Sequence, residues 1–148
     1  MIKWTVINSR LAQALADARH GDAIVLCDAN MPIPPQCSVI DLSLTRGTPT
    51  LLQTVKAILN DLVAERYELF SLMPQYNPEM SKELARLLTP LPGGTVDREQ
   101  LEALMPRARA VVRTGDMGSC CTMVLYSASG MEKYVERFQL SFPQDGAV

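Results

Sequence analysis

Two side chains in the N-terminal part of the chain could together move a proton and hold a hydroxylated ligand. His20 is the single histidine, and Asp28 follows it in the segment HGDAIVLCDANMPIPP. An imidazole has an ordinary pKa of about 6.5, which suits general acid–base catalysis at neutral pH. A carboxylate accepts hydrogen bonds from sugar hydroxyls or from a histidine. The two residues therefore indicate a candidate His/Asp crevice.

Each of the two residues also has a purely structural interpretation. His20 precedes Gly21, so it could end a helix and interact favourably with the helix dipole. Asp28 precedes a proline-rich loop, so it could simply form an Asx turn. The residues alone leave both interpretations open.

Other polar residues give weaker signals. Arg98 follows a predicted helix cap, where an arginine is usually solvated, and Arg113 and Asp116 could pair with each other across a turn. The vicinal pair Cys120–Cys121 could be redox-active, although small buried residues at the start of a strand are commoner.

The elements that position these residues alternate between strands and helices. Residues 23–27 form an apolar run without polar alternation, which predicts a strand covered on both faces. Asp28 follows that strand, and ligands of open α/β sheets bind at the carboxyl ends of strands. The pattern predicts a single α/β domain with a mostly parallel sheet and helices on both faces, in Rossmann-like layers.

Element boundaries follow from local signals. Helices are predicted after caps at Asn8 or Ser9, at Thr48 with Pro49 in the first helical position, at Asn77 and at Asp97. Residues 88–94 are interpreted as the strongest break in the chain. The predicted strands are 5–7, 23–27, 39–44, 67–73, 110–113 and 123–126.

Composition excludes several classes of protein. The chain has 148 residues, a formal net charge of −2, 47% hydrophobic residues and no basic run, which fits one globular domain without a nucleic-acid partner. No segment is typical of a signal peptide or a membrane helix, so we expect a cytoplasmic protein without membrane contact. The four cysteines form no CxxC pair, so we expect reduced thiols and no metal site.

Several segments resemble the D-ribose pyranase and L-fucose mutarotase (RbsD/FucU) family, of which the chain looks like a divergent member. The similarity covers roughly residues 4–126. It is carried by TVINS (5–9), HGD (20–22), VLCDANMPIP (25–34), IDLSLTRGTPTLLQ (40–53), NPE (77–79), DREQL (97–101) and VVRTGD (111–116).

The resemblance implies an RbsD-like sugar-binding domain over residues 1–130, with 131–148 as a C-terminal extension. It implies an isomerase, a monosaccharide mutarotase or pyranase that uses no metal or organic cofactor. It further implies ring-like homo-oligomers, with a decamer as a candidate size and sites between neighbouring subunits. The family's catalytic histidine corresponds to His20, and its sugar-binding aspartate to Asp28.

The chain departs from the family where substrate binding is expected. Arg98 stands where ribose-type members carry a second histidine, and Cys120-Cys121-Thr122 stands where the family has Tyr-Ala-Asn. Arg98, Cys120 and Thr122 are thus expected to line the sugar site together with Asp28. The alternative function is a non-catalytic monosaccharide-binding protein linked to sugar transport or metabolism.

Overall fold

Six strands form one sheet in the computed structural model, which describes residues 6–129. In chain order the strands are β1 (Ala23–Cys27), β2 (Val39–Asp41), β3 (Ala64–Phe70), β4 (Gly93–Val96), β5 (Ala110–Arg113) and β6 (Met123–Ser127). Their order across the sheet is β2-β5-β1-β6-β3-β4. β6 runs antiparallel to β1 and β3, whereas the other three pairs are parallel. The predicted α/β class with a mostly parallel sheet is confirmed.

Five α-helices connect or flank these strands in the described part of the chain. They are α1 (Ser9–Asp17), α2 (Leu51–Asp61), α3 (Met73–Tyr76), α4 (Pro78–Leu88) and α5 (Arg98–Leu104), the last followed by a 3₁₀ turn, Met105–Arg107. The predicted caps Asn8, Asn77 and Asp97 each accept a backbone N–H from the first turn of their helix. These caps satisfy donors that have no partner within the helix.

The predicted start of α2 is wrong by two residues. Thr50, not Thr48, is the N-cap, and Pro49 lies outside the helix. Thr50 forms a capping box with Gln53, in which each side chain accepts the backbone N–H of the other residue. This reciprocal pair satisfies two donors and explains why the helix begins there.

The central strands are covered on both faces. All five residues of β1 are buried. Ile24 and Leu26 belong to a core formed with α1, α2 and α4, whereas Val25 and Cys27 belong to a second core formed with α5. Since successive side chains of a strand point to opposite faces, the unbroken apolar run confirms the predicted helices on both faces.

Three predicted strands differ in the structure. Of the strand predicted at 5–7, Thr5 lies outside the described residues, and Val6 and Ile7 are not in a strand. The Val6 N–H donates to the Asp61 carboxylate at 2.6 Å instead of to a neighbouring strand. The strand predicted at 39–44 ends at Asp41, and the one predicted at 67–73 is β3, which begins at Ala64 and ends at Phe70.

The segment interpreted as the strongest break, residues 88–94, includes the first two residues of the edge strand β4. Gly93 and Gly94 pair in parallel with Tyr67 and Glu68 of β3. A Cβ at Gly93 would lie 2.5 Å from the Tyr67 ring, so this glycine leaves room for the aromatic side chain. Two glycines weaken the sequence signal of a strand, although the cross-strand Tyr67 ring fills the space beside Gly93.

Gly115, just after β5, is in close contact with the turn at 45–48. Its N–H donates to the Pro49 carbonyl at 2.8 Å, and its carbonyl accepts the Gly47 N–H at 2.6 Å. A Cβ on Gly115 would meet the carbonyl oxygens of Thr48 and Thr45, the latter at 2.6 Å. The turn that leads into α2 is therefore fixed to the end of β5 by backbone contact.

We expect Gly115→Ala to lower the free energy of unfolding by about 1–3 kcal/mol, because overpacking against backbone atoms forces the turn to move. Gly94→Ala is the matched control, since its added methyl would contact the flexible Glu68 side chain at 3.3 Å. Urea denaturation of both variants measures the difference. Equal stability of the two variants would contradict the close approach at Gly115.

Candidate functional site

Asp28 lies at the carboxyl edge of the sheet, directly after β1. Its side chain is largely buried, at 9% exposure, and its Oδ1 accepts the N–H of Asn30 at 2.9 Å. Burial raises the pKa of the Asp28 carboxyl above its ordinary value, and the nearby Asp116 acts in the same direction, while the Asn30 N–H opposes them. The Asx turn is therefore present, but it leaves Asp28 with a carboxyl group that is costly to ionise.

Asp116 lies beside it, after the neighbouring parallel strand β5. Its two carboxylate oxygens accept the N–H groups of Leu51, at 3.0 Å, and Gly118, at 2.8 Å. It does not pair with Arg113, which instead lies 4.0 Å from Asp41 and donates to the Met31 carbonyl. The Asp116 carboxylate thus binds backbone N–H groups, and the suggested pairing of Arg113 with Asp116 is wrong.

The segment Cys120-Cys121-Thr122 approaches the same edge before β6. The Cys121 thiol is buried, and its Sγ accepts a hydrogen bond from the Asn77 amide at 3.0 Å. Burial, reinforced by the negative charges of Asp116 and Asp28, raises the pKa of Cys121 to about 12. This thiol therefore stays protonated at neutral pH, which supports the interpretation as a buried small residue.

The two neighbours of Cys121 differ in their surroundings. Cys120 is half-buried and adopts a left-handed backbone conformation with φ of 58°. Thr122 is buried, and its Oγ1 has no hydrogen-bond partner among residues 6–129. A buried hydroxyl without a hydrogen-bond partner costs about 1–3 kcal/mol of stability. Thr122 is therefore a position where the packing leaves a polar group without its usual hydrogen bond.

His20 lies at the opposite end of β1 from Asp28. The five residues of that strand, at about 3.3 Å each, separate the two side chains by roughly 15 Å. The two side chains of one chain therefore do not form the candidate His/Asp crevice with each other. The separation arises because β1 is fully extended and His20 precedes it while Asp28 follows it.

The surroundings of His20 also exclude the helix-dipole interpretation. Helix α1 ends at Asp17, so His20 lies in a turn beyond the helix and not in its last turn. The side chain is 64% exposed, and its Nε2 lies 2.8 Å from Oε2 of Glu65, which is 24% exposed. No local pattern in the sequence indicates that Glu65, within β3, is the neighbour of His20.

Arg98 belongs neither to the group around Asp28 nor to the surroundings of His20. It begins α5, after the edge strand β4, which lies three strands from β1, or roughly 14 Å at a spacing of about 4.8 Å. Its side chain is exposed and pairs with Glu102 at 3.4 Å. Arg98 therefore has the solvated environment of an ordinary surface arginine.

The structure thus groups the candidate residues at separate places. Asp28 and the segment 120–122 share the carboxyl edge with Asp116, whereas His20 and Arg98 lie elsewhere.

Between residues 6 and 129, no cluster of three or more acidic, cysteine or histidine side chains is arranged to hold a metal ion. No helix in the described residues is long and apolar enough to cross a membrane. The extension 131–148 lies outside the described residues.

Comparison with known proteins gives a consistent family match. The sequence profile of the RbsD / FucU transport protein family matches residues 1–129. The chain is 40% identical over 125 residues to a D-ribose pyranase of Chloroflexus aggregans, covering 84% of this chain and 95% of that protein. It is 37% identical over 127 residues to a D-ribose pyranase of Coprothermobacter proteolyticus, covering 86% and 97% of the two chains.

Solved structures agree with the sequence comparison. The structure of Bacillus subtilis RbsD complexed with D-ribose matches with a TM-score of 0.82 and 31% identity, covering 86% of this chain and 98% of that chain. The fucose mutarotase of Streptococcus pneumoniae in complex with L-fucose matches with a TM-score of 0.65 and 19% identity, covering 82% and 93%. At that lower identity the likeness concerns the fold alone.

We expect Asp28→Asn to raise the melting temperature at pH 7. Burial raises the pKa of this carboxyl in the folded state, so at pH values just above the ordinary aspartate pKa the folded state binds more protons than the unfolded state. The free energy of unfolding therefore falls as the pH rises through that range. The asparagine side chain does not ionise, so it avoids this loss of stability, and its oxygen can still accept the N–H of Asn30. The difference between variant and wild type should shrink as the pH falls below the ordinary aspartate pKa.

The matched control is Asp116→Asn, measured by thermal denaturation over the same pH series. Its amide leaves one backbone N–H without an acceptor, which costs about 2 kcal/mol because hydrogen bonds to charged groups are the stronger ones. A lower melting temperature for Asp28→Asn at pH 7 would mean that its carboxylate mainly holds the turn.

Proposed function

We propose that this chain, which belongs to the RbsD / FucU transport protein family, is an isomerase that interconverts ring forms or anomers of a monosaccharide. The observation that carries the proposal is the extent of the match. Relatives described as D-ribose pyranase align along nearly their whole length, so the match includes both ends of β1. The ligand class is accordingly a monosaccharide.

The reaction needs only proton transfers. When a cyclic hemiacetal opens, the anomeric hydroxyl loses a proton, the bond from the anomeric carbon to the ring oxygen breaks, and the ring oxygen gains a proton. Closure on the opposite face of the carbonyl gives the other anomer, and closure by a different hydroxyl gives the other ring form. General acid–base catalysis typically contributes about 10²–10⁴-fold, which suffices for a reaction that already proceeds in water.

His20 is the residue with the chemistry for this step. Its imidazole is exposed, so a sugar can reach it. Asp28, at the carboxyl edge, has oxygens that can accept hydrogen bonds from sugar hydroxyls. We assign His20 as the acid–base group and Asp28 as a sugar ligand.

The separation of these residues within one chain supports a site shared by two subunits. A sugar ring is only about 5–6 Å across, which is far shorter than the roughly 15 Å that β1 places between His20 and Asp28. A second copy that brings its His20 against the first copy's carboxyl edge removes this gap. The proposed assembly is a ring-like homo-oligomer, since head-to-tail contacts between copies generate closed rings.

The remaining substrate-binding assignments belong to the same shared site. Cys120 is half-buried at the Asp28 edge and accessible to a ligand. The Thr122 hydroxyl has no hydrogen-bond partner among the described residues, and a small shift of its segment would turn it towards a sugar. Arg98 reaches the site only from a neighbouring subunit, where it would favour an anionic or differently substituted sugar over ribose.

Exchange NMR on pentoses, hexoses and sugar acids tests the proposal. An isomerase speeds the exchange between anomers or ring forms of at least one of these sugars. Line broadening of a sugar without faster exchange would favour the alternative, a monosaccharide-binding protein without turnover. Neither effect on any sugar of the panel would contradict both functions.

We expect His20→Ala to abolish the accelerated exchange while changing the melting temperature little. The side chain is 64% exposed and lies beyond the helix end, and an exposed contact such as the one with Glu65 is worth only about 0–1 kcal/mol even between charged groups. Exchange NMR and thermal denaturation on the same sample separate the two effects. Retained exchange together with a large loss of stability would show that His20 is structural.

We expect light scattering in reducing buffer to give a mass well above 16.3 kDa, because the proposed site needs two copies of the chain.

We expect the inactive variants His20→Ala and Asp28→Asn to restore activity when they are co-expressed. In a random 1:1 oligomer of His20→Ala and Asp28→Asn, about a quarter of the shared sites contain both wild-type residues, because each site draws on two copies. Activity near that level is the expected result.

The control is a mixture of His20→Ala with the double variant, which contains no intact site. If the first mixture is as inactive as this control, the two residues do not meet across a subunit boundary. A monomeric protein would contradict the shared site directly.

A further inference from the structure

The turn that carries His20 is held to the sheet by its backbone. The Gly21 N–H donates to the Ser127 carbonyl at 2.8 Å, and the Ser127 N–H donates to the Asp22 carbonyl at 2.9 Å. Gly21 has φ of 80°, a conformation that glycine adopts without strain. Asp22 also accepts the Arg19 N–H and a hydrogen bond from Arg109 at 2.7 Å. The backbone at His20 is thus fixed although its ring is exposed.

The strand next to this turn contains an extra residue at Glu65. Ala64 lies opposite Ser127 and Arg66 lies opposite Tyr126, so Glu65 has no partner of its own across the β3–β6 ladder. Residues two apart in a regular strand share a face. Here Ala64 packs into the core with α2, whereas the Arg66 guanidinium stacks on the Tyr126 ring of the opposite face, 3.3 Å from its centroid.

This irregularity changes the direction of the Glu65 side chain. A β-bulge re-aims the residue at which it occurs, and such bulges are enriched next to active sites. The Glu65 carboxylate points to the His20 turn, with 2.8 Å between Oε2 and the imidazole Nε2. An exposed ion pair between flexible side chains would need no such departure from regular pairing.

We propose that Glu65 is a positioning residue that holds His20 with its proton on Nε2 and leaves Nδ1 as the nitrogen that reacts with the sugar. A carboxylate can only accept a hydrogen bond, so Nε2 must be the donor, and the second nitrogen of the neutral ring is then the free base. This inference rests on the proposed isomerase function and names the reacting atom of that site.

The proton balance of the step is complete with this single nitrogen. Nδ1 takes the proton of the anomeric hydroxyl as the carbonyl forms and the bond from the anomeric carbon to the ring oxygen breaks. The imidazolium then gives the same proton to the ring oxygen. The Glu65 carboxylate stabilises the transient positive charge on the ring without itself being protonated.

Glu65→Gln tests the role, because it keeps the shape of the side chain and removes its charge. The matched control is Glu68→Gln, on the same strand, where the carboxylate contacts Tyr126 and Arg66 and not His20. We expect Glu65→Gln to lower the maximal exchange rate about 10–100-fold, as loss of an orienting partner typically does, with sugar affinity within about twofold. Glu68→Gln should keep the wild-type rate.

A spectroscopic signature distinguishes positioning from a structural effect. His20 is the only histidine, so the ¹⁵N resonances of the imidazole need no assignment among alternatives. In the wild-type protein the neutral ring should carry its proton on Nε2, protected from exchange with water, and Glu65→Gln should lose that protection. Because the wild-type spectrum is informative by itself, the test holds even if the variant does not fold.

Two results would overturn the inference. One is a wild-type ring that is protonated on Nδ1, and the other is a folded Glu65→Gln variant with the wild-type exchange rate. Failure of the isomerase proposal gives a different result, in which the wild-type protein itself accelerates no exchange.

Discussion

A single buried carboxylate, that of Asp116, holds together the edge of the sheet where ligand binding is proposed. Its oxygens accept backbone N–H groups from the start of α2 and from Gly118, and its own carbonyl accepts the N–H of Ala29. The negative charge lies at the amino end of α2, where the helix dipole favours it. One residue therefore joins the loops that follow β1 and β5 to the first turn of a helix, and Asp28 is positioned within that assembly.

The two aspartates at this edge have different surroundings. Asp116 is held by backbone donors from two elements, whereas burial and the charge of Asp116 raise the pKa of Asp28. A group that is costly to keep ionised stabilises the fold poorly, but it is suited to bind hydroxyl groups that arrive with a ligand. Ligand-binding sites commonly give up stability in this way.

Strand β1 imposes a second constraint, because it is both the centre of the core and a rigid separator. Its burial on both faces keeps it extended, so the residues before and after it cannot approach each other. The His20 end has its own support from β6 and β3, through backbone hydrogen bonds of Gly21 and Ser127 and the contact with Glu65. In the proposed ring, each copy contributes its His20 end to one shared site and its Asp28 edge to another.

The sequence alone determined the features that depend on neighbours along the chain. The unbroken apolar run of β1 predicted its burial on both faces, and Asn8, Asn77 and Asp97 predicted helix starts, because periodicity and capping act within a few residues. The family resemblance singled out His20 and Asp28, but not the distance between them. The distance follows from β1, which lies extended between the two residues. The register shift that turns Glu65 towards His20 and the backbone contacts of Asp116 were decided by contacts between segments far apart in the chain. Such pairing depends on how the sheet is ordered and packed, and local spacing carries no information about it.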